Sequence, residues 1–310
     1  MKIYVAGHRG LVGSAIVRAI EAGGEHTWIG QTRQELDLLN RQAVFEYVAR
    51  EKPDWVVIAA AKVGGIHANS TYPVQFLSEN LQIQTNVLDA CHNSNIERVI
   101  FLGSSCIYPK FCSQPIKEDY LLTGALEPTN EPYAIAKIAG LKLVEAYSKQ
   151  FGRSWISLMP TNLYGPGDNF DSLNSHVLPS LMRRFHEAKT QGFSKVAIWG
   201  DGTPLREFLH ADDLADAVLF AASNYFGDSP INVGSGEEVS ISGLAQTLAQ
   251  VIGFEGEIEF DHTKPNGTPR KLLDSSVIRG LGWNPKISLL QGLDGTYRWF
   301  KDTSGLAFPT

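Results

Sequence analysis

Lys2-Ile3-Tyr4-Val5-Ala6-Gly7-His8-Arg9-Gly10-Leu11-Val12-Gly13 decides the fold. An apolar strand pattern runs directly into three glycines spaced three apart, and the helical pattern of 11–22 follows. Glycines there permit a tight turn, close approach of backbone to a pyrophosphate and close packing of helix on strand. The helix N-terminus then faces the phosphates. Outward from this turn, strand patterns at 26–30, 55–61, 98–103 and 155–159 alternate with helical patterns at 40–51, 76–93 and 132–152. Strand, helix, strand at this pitch predicts an α/β fold: a Rossmann-type doubly wound parallel sheet with right-handed crossovers. After Pro160 the loops grow rich in Gly, Pro and Asn. Helices at 177–187 and 211–223 interleave with short strands at 196–199 and 231–233. The segments 240–252, 257–260 and 290–299 read as a smaller C-terminal α/β unit. Residues 1–165 are therefore expected to bind a dinucleotide and 166–310 mainly substrate, the chain returning to the first domain at about 212–234.

Composition narrows the function. Lys and Arg number 27 against 33 Asp and Glu, a net charge of −6, so no bulk positive field favours nucleic acid. The three cysteines, Cys91, Cys106 and Cys112, form an odd, scattered set. That fits reduced thiols in a cytoplasm, and the spacing matches no common zinc pattern, so no metal is expected. The chain enters its first strand without a long apolar leader, and no apolar stretch reaches membrane-spanning length, so neither a signal peptide nor a membrane partner is expected.

Beyond the glycine turn, an NAD site usually carries an acid about 20 residues on, accepting from the ribose 2′-hydroxyl. Here the region reads Gly30-Gln31-Thr32-Arg33. With an arginine in place of the acid and Arg9 inside the turn, the expected cofactor is NADPH, since guanidinium groups match a 2′-phosphate bidentately. Tyr133 and Lys137 lie four apart on one predicted helix face, behind Asn130 as helix cap and Pro132 in the first turn. A tyrosine titrates at about 10. A neighbouring ammonium favours its phenolate and is expected to draw it down. Ser104, after the strand ending at Gly103, would donate to a carbonyl oxygen. These three groups suit proton and hydride movement at a carbonyl.

The chain resembles the extended short-chain dehydrogenase/reductase family over essentially its whole length. The resemblance rests on Gly7-His8-Arg9-Gly10, on Ala59-Ala60-Ala61-Lys62-Val63-Gly64-Gly65-Ile66 and on Gly103-Ser104-Ser105-Cys106-Ile107-Tyr108-Pro109-Lys110. Further runs are Glu127 through Lys137, Met159 through Pro166, Asn174-Ser175-His176-Val177 and Arg206-Glu207-Phe208-Leu209-His210. It implies two chemistries in one pocket: 3,5-epimerisation and 4-keto reduction of GDP-4-keto-6-deoxy-D-mannose with NADPH. Catalytic roles then fall to Ser104, Cys106, Tyr133, Lys137 and His176, with Cys106 as base and His176 as acid. An ordinary thiol and imidazole titrate at about 8.5 and about 6.5, within reach of neutrality. The cofactor set implied is Gly7, His8, Arg9, Gly10, Leu11, Val12, Gly13, Arg33, Asp37, Leu38, Leu102, Gly103, Ser104, Ser105, Lys137, Pro160, Thr161, Asn162, Leu163 and His176. Substrate contacts fall to Arg184, Trp199, Arg206 and Asp274, with Lys264, Arg270 and Lys271 as further cations for the diphosphate. Relatives carrying a 4,6-dehydratase activity have an Asp-Glu pair where this chain has Ser105-Cys106. A simple GDP-4-keto-deoxyhexose 4-reductase, with Cys106 idle, a GDP-colitose-forming activity and a non-catalytic NADPH-binding sensor stay open. Relatives dimerise through helices corresponding to 76–93 and 132–152, so a homodimer is expected.

Overall fold

The computed structural model describes residues 1–171, 175–264 and 266–303. In chain order the first part runs β1 (Lys2–Ala6), α1 (Leu11–Gly23), β2 (Thr27–Ile29), α2 (Arg41–Glu51), β3 (Trp55–Ile58), α3 (Ile66–Thr71), α4 (Pro73–Asn93), β4 (Arg98–Leu102), α5 (Glu131–Phe151) and β5 (Ile156–Pro160). The second runs β6 (Asn162–Tyr164), α6 (Val177–Gln191), β7 (Lys195–Trp199), β8 (Leu205–His210), α7 (Ala211–Asn224) and β9 (Ile231–Val233). It ends with β10 (Glu238–Ser240), α8 (Ile241–Ile252), β11 (Glu257–Asp261), β12 (Arg270–Lys271), α9 (Ser276–Gly280) and α10 (Leu289–Thr303).

Six strands form one parallel sheet in the order β2-β1-β3-β4-β5-β9. Alternate residues feed opposite faces. Tyr4, Ala6, Val56, Ile58, Val99 and Phe101 join the core beneath α2, α4 and α5. Ile3, Val5, Val57, Ile100, Leu102 and Leu158 join the core beneath α1 and α7. Burial on both faces is why these strands read as unbroken apolar runs. Strand order reverses beside β1, which opens a crevice at the carboxyl ends of β1 and β3.

The remaining strands form an antiparallel β10-β8 pair with β12 and β6 parallel to β8, and a separate β7-β11 pair. They and α6, α8 and α10 enclose a third core around Phe170, Phe185, Leu244 and Phe300. The expected strand at 55–61 stops at Ile58, because the chain leaves the sheet once Ala59 N–H has bonded Ala6. The helix expected at 177–187 runs on to Gln191, where Gly192 adopts φ 72° and closes it. β8, the centre of the second sheet, has no counterpart among the expected strands. Arg206 and Glu207 interrupt its apolar pattern, yet Glu207 is wholly buried.

Candidate active site

The glycine turn is built as its spacing requires. Gly7 leaves β1 at φ 89°, and a Cβ there would fall 2.7 Å from the Ala60 nitrogen. Gly13 faces the Gly7 carbonyl so closely that an added Cβ would sit 2.0 Å from its oxygen. Gly10, the N-cap of α1, is different. It is exposed, and an added Cβ would meet only the Gly7 oxygen, at 3.5 Å. The space over Gly10 and the first N–H groups of α1, at Leu11, Val12 and Gly13, form a cradle that fits a pyrophosphate. A helix cannot satisfy those donors internally, and no acidic side chain stands in this first turn.

On the adenosine side, a Cβ on Gly30 would lie 2.6 Å from His8 Nδ1. The His8 ring thus packs against the Gly30 backbone, just past the end of β2. Burial pushes its imidazole down, and Arg9 adds to this. Thr32 N–H donates to Glu35 at 2.8 Å, closing a turn that presents Arg33 to solvent. Arg9 and Arg33 are both exposed and without a carboxylate in ion-pairing range among the described residues. Asp37 turns its carboxylate onto Leu39 N–H, and the Leu38 carbonyl accepts from Asn86 at 2.9 Å. Along the floor, Pro160 ends β5 and Leu163 lies in β6. Thr161 and Asn162 donate to the Glu207 carbonyl at 3.3 and 2.8 Å.

Beyond Leu102 and Gly103, Ser104 starts a single 3₁₀ turn over Ser105–Ile107, its hydroxyl accepting from Cys106 N–H at 3.2 Å. Ser104 also lies near enough to Tyr133, on the first turn of α5, for its hydroxyl to draw the phenol down. The Tyr133 phenol is nevertheless raised, by burial first and then by the Cys106 sulfur. This reverses the direction expected from sequence. Lys137 is only 4 % exposed and donates to the Leu102 carbonyl at 2.8 Å, its ammonium lying 5.8 Å from the Tyr133 ring centre. Burial lowers it to about 8.

Asn130 departs from expectation too. It stands at the N-cap of α5 but its side chain makes no capping bond; its amide instead donates to Cys106 Sγ at 3.3 Å. From 165 residues further along, Lys271 brings its ammonium to 3.6 Å from the same sulfur. His176 is the N-cap residue of α6. Its imidazole is pushed down by the surrounding protein and then by Lys271. Lys271 thus stands against the sulfur of one expected epimerisation group and lowers the imidazole of the other.

On the substrate side, Arg184 and Arg206 are half-buried, bonded to the backbone carbonyls of Ala197 and Leu205, and without an ion-pair partner among the described residues. Burial lowers both, which favours an anionic ligand. Trp199 is 64 % exposed at the end of β7, with Lys264 at 5.7 Å over its ring, so it is no core residue. Arg270 is held bidentately by Glu238 at 2.6 and 2.7 Å, which neutralises it. The Asp274 carboxylate caps Ser276 N–H at 2.9 Å, a helix-starting role. Asn266, which carried no signal in the sequence, accepts from Asp201 N–H at 2.8 Å beside Trp199 and Gly200. Of the quoted motif residues, Asn174 lies outside the described residues.

Residues 3–234 match the NAD dependent epimerase/dehydratase family. The chain is 58 % identical to GDP-L-fucose synthase 1 of Arabidopsis thaliana over 96 % of its own length and 93 % of that protein's. It is 53 % identical to the GDP-L-fucose synthase of Escherichia coli, over 96 % of each. Its fold is similar to the NADP-bound GDP-L-fucose synthetase of Naegleria fowleri, at a TM-score of 0.91 and 29 % identity over 99 % of this chain and 96 % of that one. With its glycine cradle, its Ser-Tyr-Lys set and its parallel sheet, the chain belongs to the NAD dependent epimerase/dehydratase family.

Proposed function

We propose that the protein converts GDP-4-keto-6-deoxy-D-mannose to GDP-L-fucose, epimerising C3 and C5 and reducing C4 with NADPH. The observation that carries this reading is the convergence of Cys106 and Tyr133. The Ser104 hydroxyl accepts from the Cys106 backbone N–H and moderates the Tyr133 phenol, and the Asn130 amide bonding the thiol lies on the turn that carries Tyr133. The relatives' printed names support the substrate class.

NADPH supplies a hydride to C4 when bound. Gly7 to Gly13 hold the pyrophosphate. Arg33 and Arg9 take the 2′-phosphate, while the exposed Asp37 and the Leu38 backbone border the adenosine. Ser104 and Tyr133 hold the ketone oxygen, first as the enolate of epimerisation and then as the developing alkoxide, to which Tyr133 gives its proton. Lys137 keeps a positive charge near the phenol ring. Cys106 removes the proton from one face of the sugar and His176 returns one to the other. Arg184 and Arg206 take the diphosphate, and Trp199 with Lys264 borders the nucleoside.

We further infer the division of labour at residue 165, with 212–234 returning to the cofactor half, and a homodimer formed through α4 and α5. The three unpaired thiols support work in a reducing cytoplasm. The deciding experiment is turnover of GDP-4-keto-6-deoxy-mannose with NADPH in deuterated water. Deuterium is expected at C3 and C5 of a fucose product. A reduced sugar without deuterium at either carbon would mean a simple 4-reductase.

A further inference from the structure

We propose that Lys271 is the electrostatic partner of Cys106, its ammonium set against the sulfur so as to favour the thiolate. The proposal rests on the epimerase reading above and adds to it a residue that the sequence points to only as a diphosphate ligand.

The geometry is specific. The half-buried Lys271 ammonium lies 3.6 Å from Cys106 Sγ, and no carboxylate is within ion-pairing range of it among the described residues. An ammonium without an acid, turned on a sulfur that also receives the Asn130 amide at 3.3 Å, is an arrangement that stabilises a thiolate. Other groups around the pair are accounted for. Glu127 is engaged by Lys110 at 2.9 Å and lies 3.5 Å from the Thr268 hydroxyl. Tyr133 is neutral across the neutral range, since burial raises its phenol. Cys112 also feels Lys271, although burial dominates it and keeps its thiol raised.

Lys271 is held in place by the fold rather than by a carboxylate at its head. Its strand β12 pairs with β8. The next residues are clamped on three sides: Leu272 N–H by Gln114 at 2.9 Å, Leu273 N–H by the buried Glu207 at 3.0 Å and Asp274 N–H by the Ile116 carbonyl at 2.8 Å. The chemical use is direct. The thiolate takes the proton from C3 or C5, the C–H electron pair passes into the enolate held by Ser104 and Tyr133, and the sulfur becomes a neutral thiol. His176 then gives its own proton to the opposite face of the carbon. An uncompensated Lys271 charge favours the first half of this exchange, because a nearby cation stabilises the thiolate from which it starts.

The test uses the full chain as wild type, Lys271→Met and Lys271→Arg. Cys106 alkylation by iodoacetamide is followed against pH through the masses of tryptic peptides 99–110 and 111–117, which separate Cys106 from Cys112. His176 is titrated in parallel by NMR. In Lys271→Met both midpoints are expected to rise, the thiol's by about one pH unit or more. Alkylation near neutrality would then slow about tenfold, and Lys271→Arg should restore both. A thiol midpoint unmoved in a Lys271→Met protein that still binds NADPH would overturn the proposal. So would a rise that Arg fails to reverse. Neither readout needs the sugar substrate, so failure here leaves the proposed function standing, while failure of turnover leaves this proposal standing.

Discussion

Tyr133 and Lys137 are moved in opposite directions by the same burial, the phenol upward and the ammonium down to about 8. Tyr133 is therefore a proton donor throughout the neutral range, and the group that titrates near the working pH is Lys137, charged below about 8 and neutral above it. kcat/KM for ketone reduction, followed by NADPH oxidation, is expected to fall as pH rises past that point; a profile flat well into the alkaline range would remove Lys137 from the chemistry. A second buried group acts on stability. Asp168 is 8 % exposed, its Oδ2 has no partner among the described residues, and burial raises it from 3.8 to about 7. Between those values the folded state keeps a proton that the unfolded state has released, so stability falls as pH rises through that window and then levels. Asp168→Asn keeps an acceptor for Asn169 N–H and removes the titration. Urea unfolding should show the variant gaining on wild type from pH 4 to pH 7. Ser104, Cys106, Tyr133 and Lys137 were legible in sequence because short local runs carry them. Lys271 was legible only as a cation for the diphosphate, and its place beside Cys106 was not, because it depends on the pairing of β12 with β8; Asn266 carried no signal at all.

At the scale of elements, the α1 turn allows folding and binding to be separated. Gly13→Ala would set a Cβ against the Gly7 carbonyl, a backbone group that cannot turn aside, so α1 must lift from β1. Both melting temperature and NADPH affinity are expected to drop, the latter at least about tenfold if the helix N-terminus no longer meets the phosphates. Gly10→Ala meets almost nothing in the protein, so NADPH titration should show weaker binding at an unchanged melting temperature. Equal binding in Gly10→Ala and wild type would mean that no ligand approaches this turn. The parallel sheet was readable because strands buried on both faces are continuously apolar. β8 was not, since Glu207 reads as a surface charge in sequence. In the fold it accepts from Gly236 N–H at 2.7 Å and Leu273 N–H at 3.0 Å, joining β8 to the segments after β9 and β12. Glu207→Gln loses one of these two acceptors. It is expected to cost about 1–3 kcal/mol in chemical unfolding.

For the whole molecule, the proposed dimer through α4 and α5 has exposed apolar residues available, Val74 on α4 and Ile135 on α5. Ile135→Glu is expected to shift sedimentation from dimer to monomer; an unchanged sedimentation coefficient would place the interface elsewhere. The sheet order has a further consequence, for synthesis rather than for catalysis. β5 ends at Pro160, but its outer neighbour β9 begins only at Ile231, after the chain has left to build β6, α6, β7, β8 and α7. A nascent chain on the ribosome therefore carries an open, largely apolar strand edge for some seventy residues. That interval is when chaperone protection counts most, and a pause or truncation within it favours aggregation over folding.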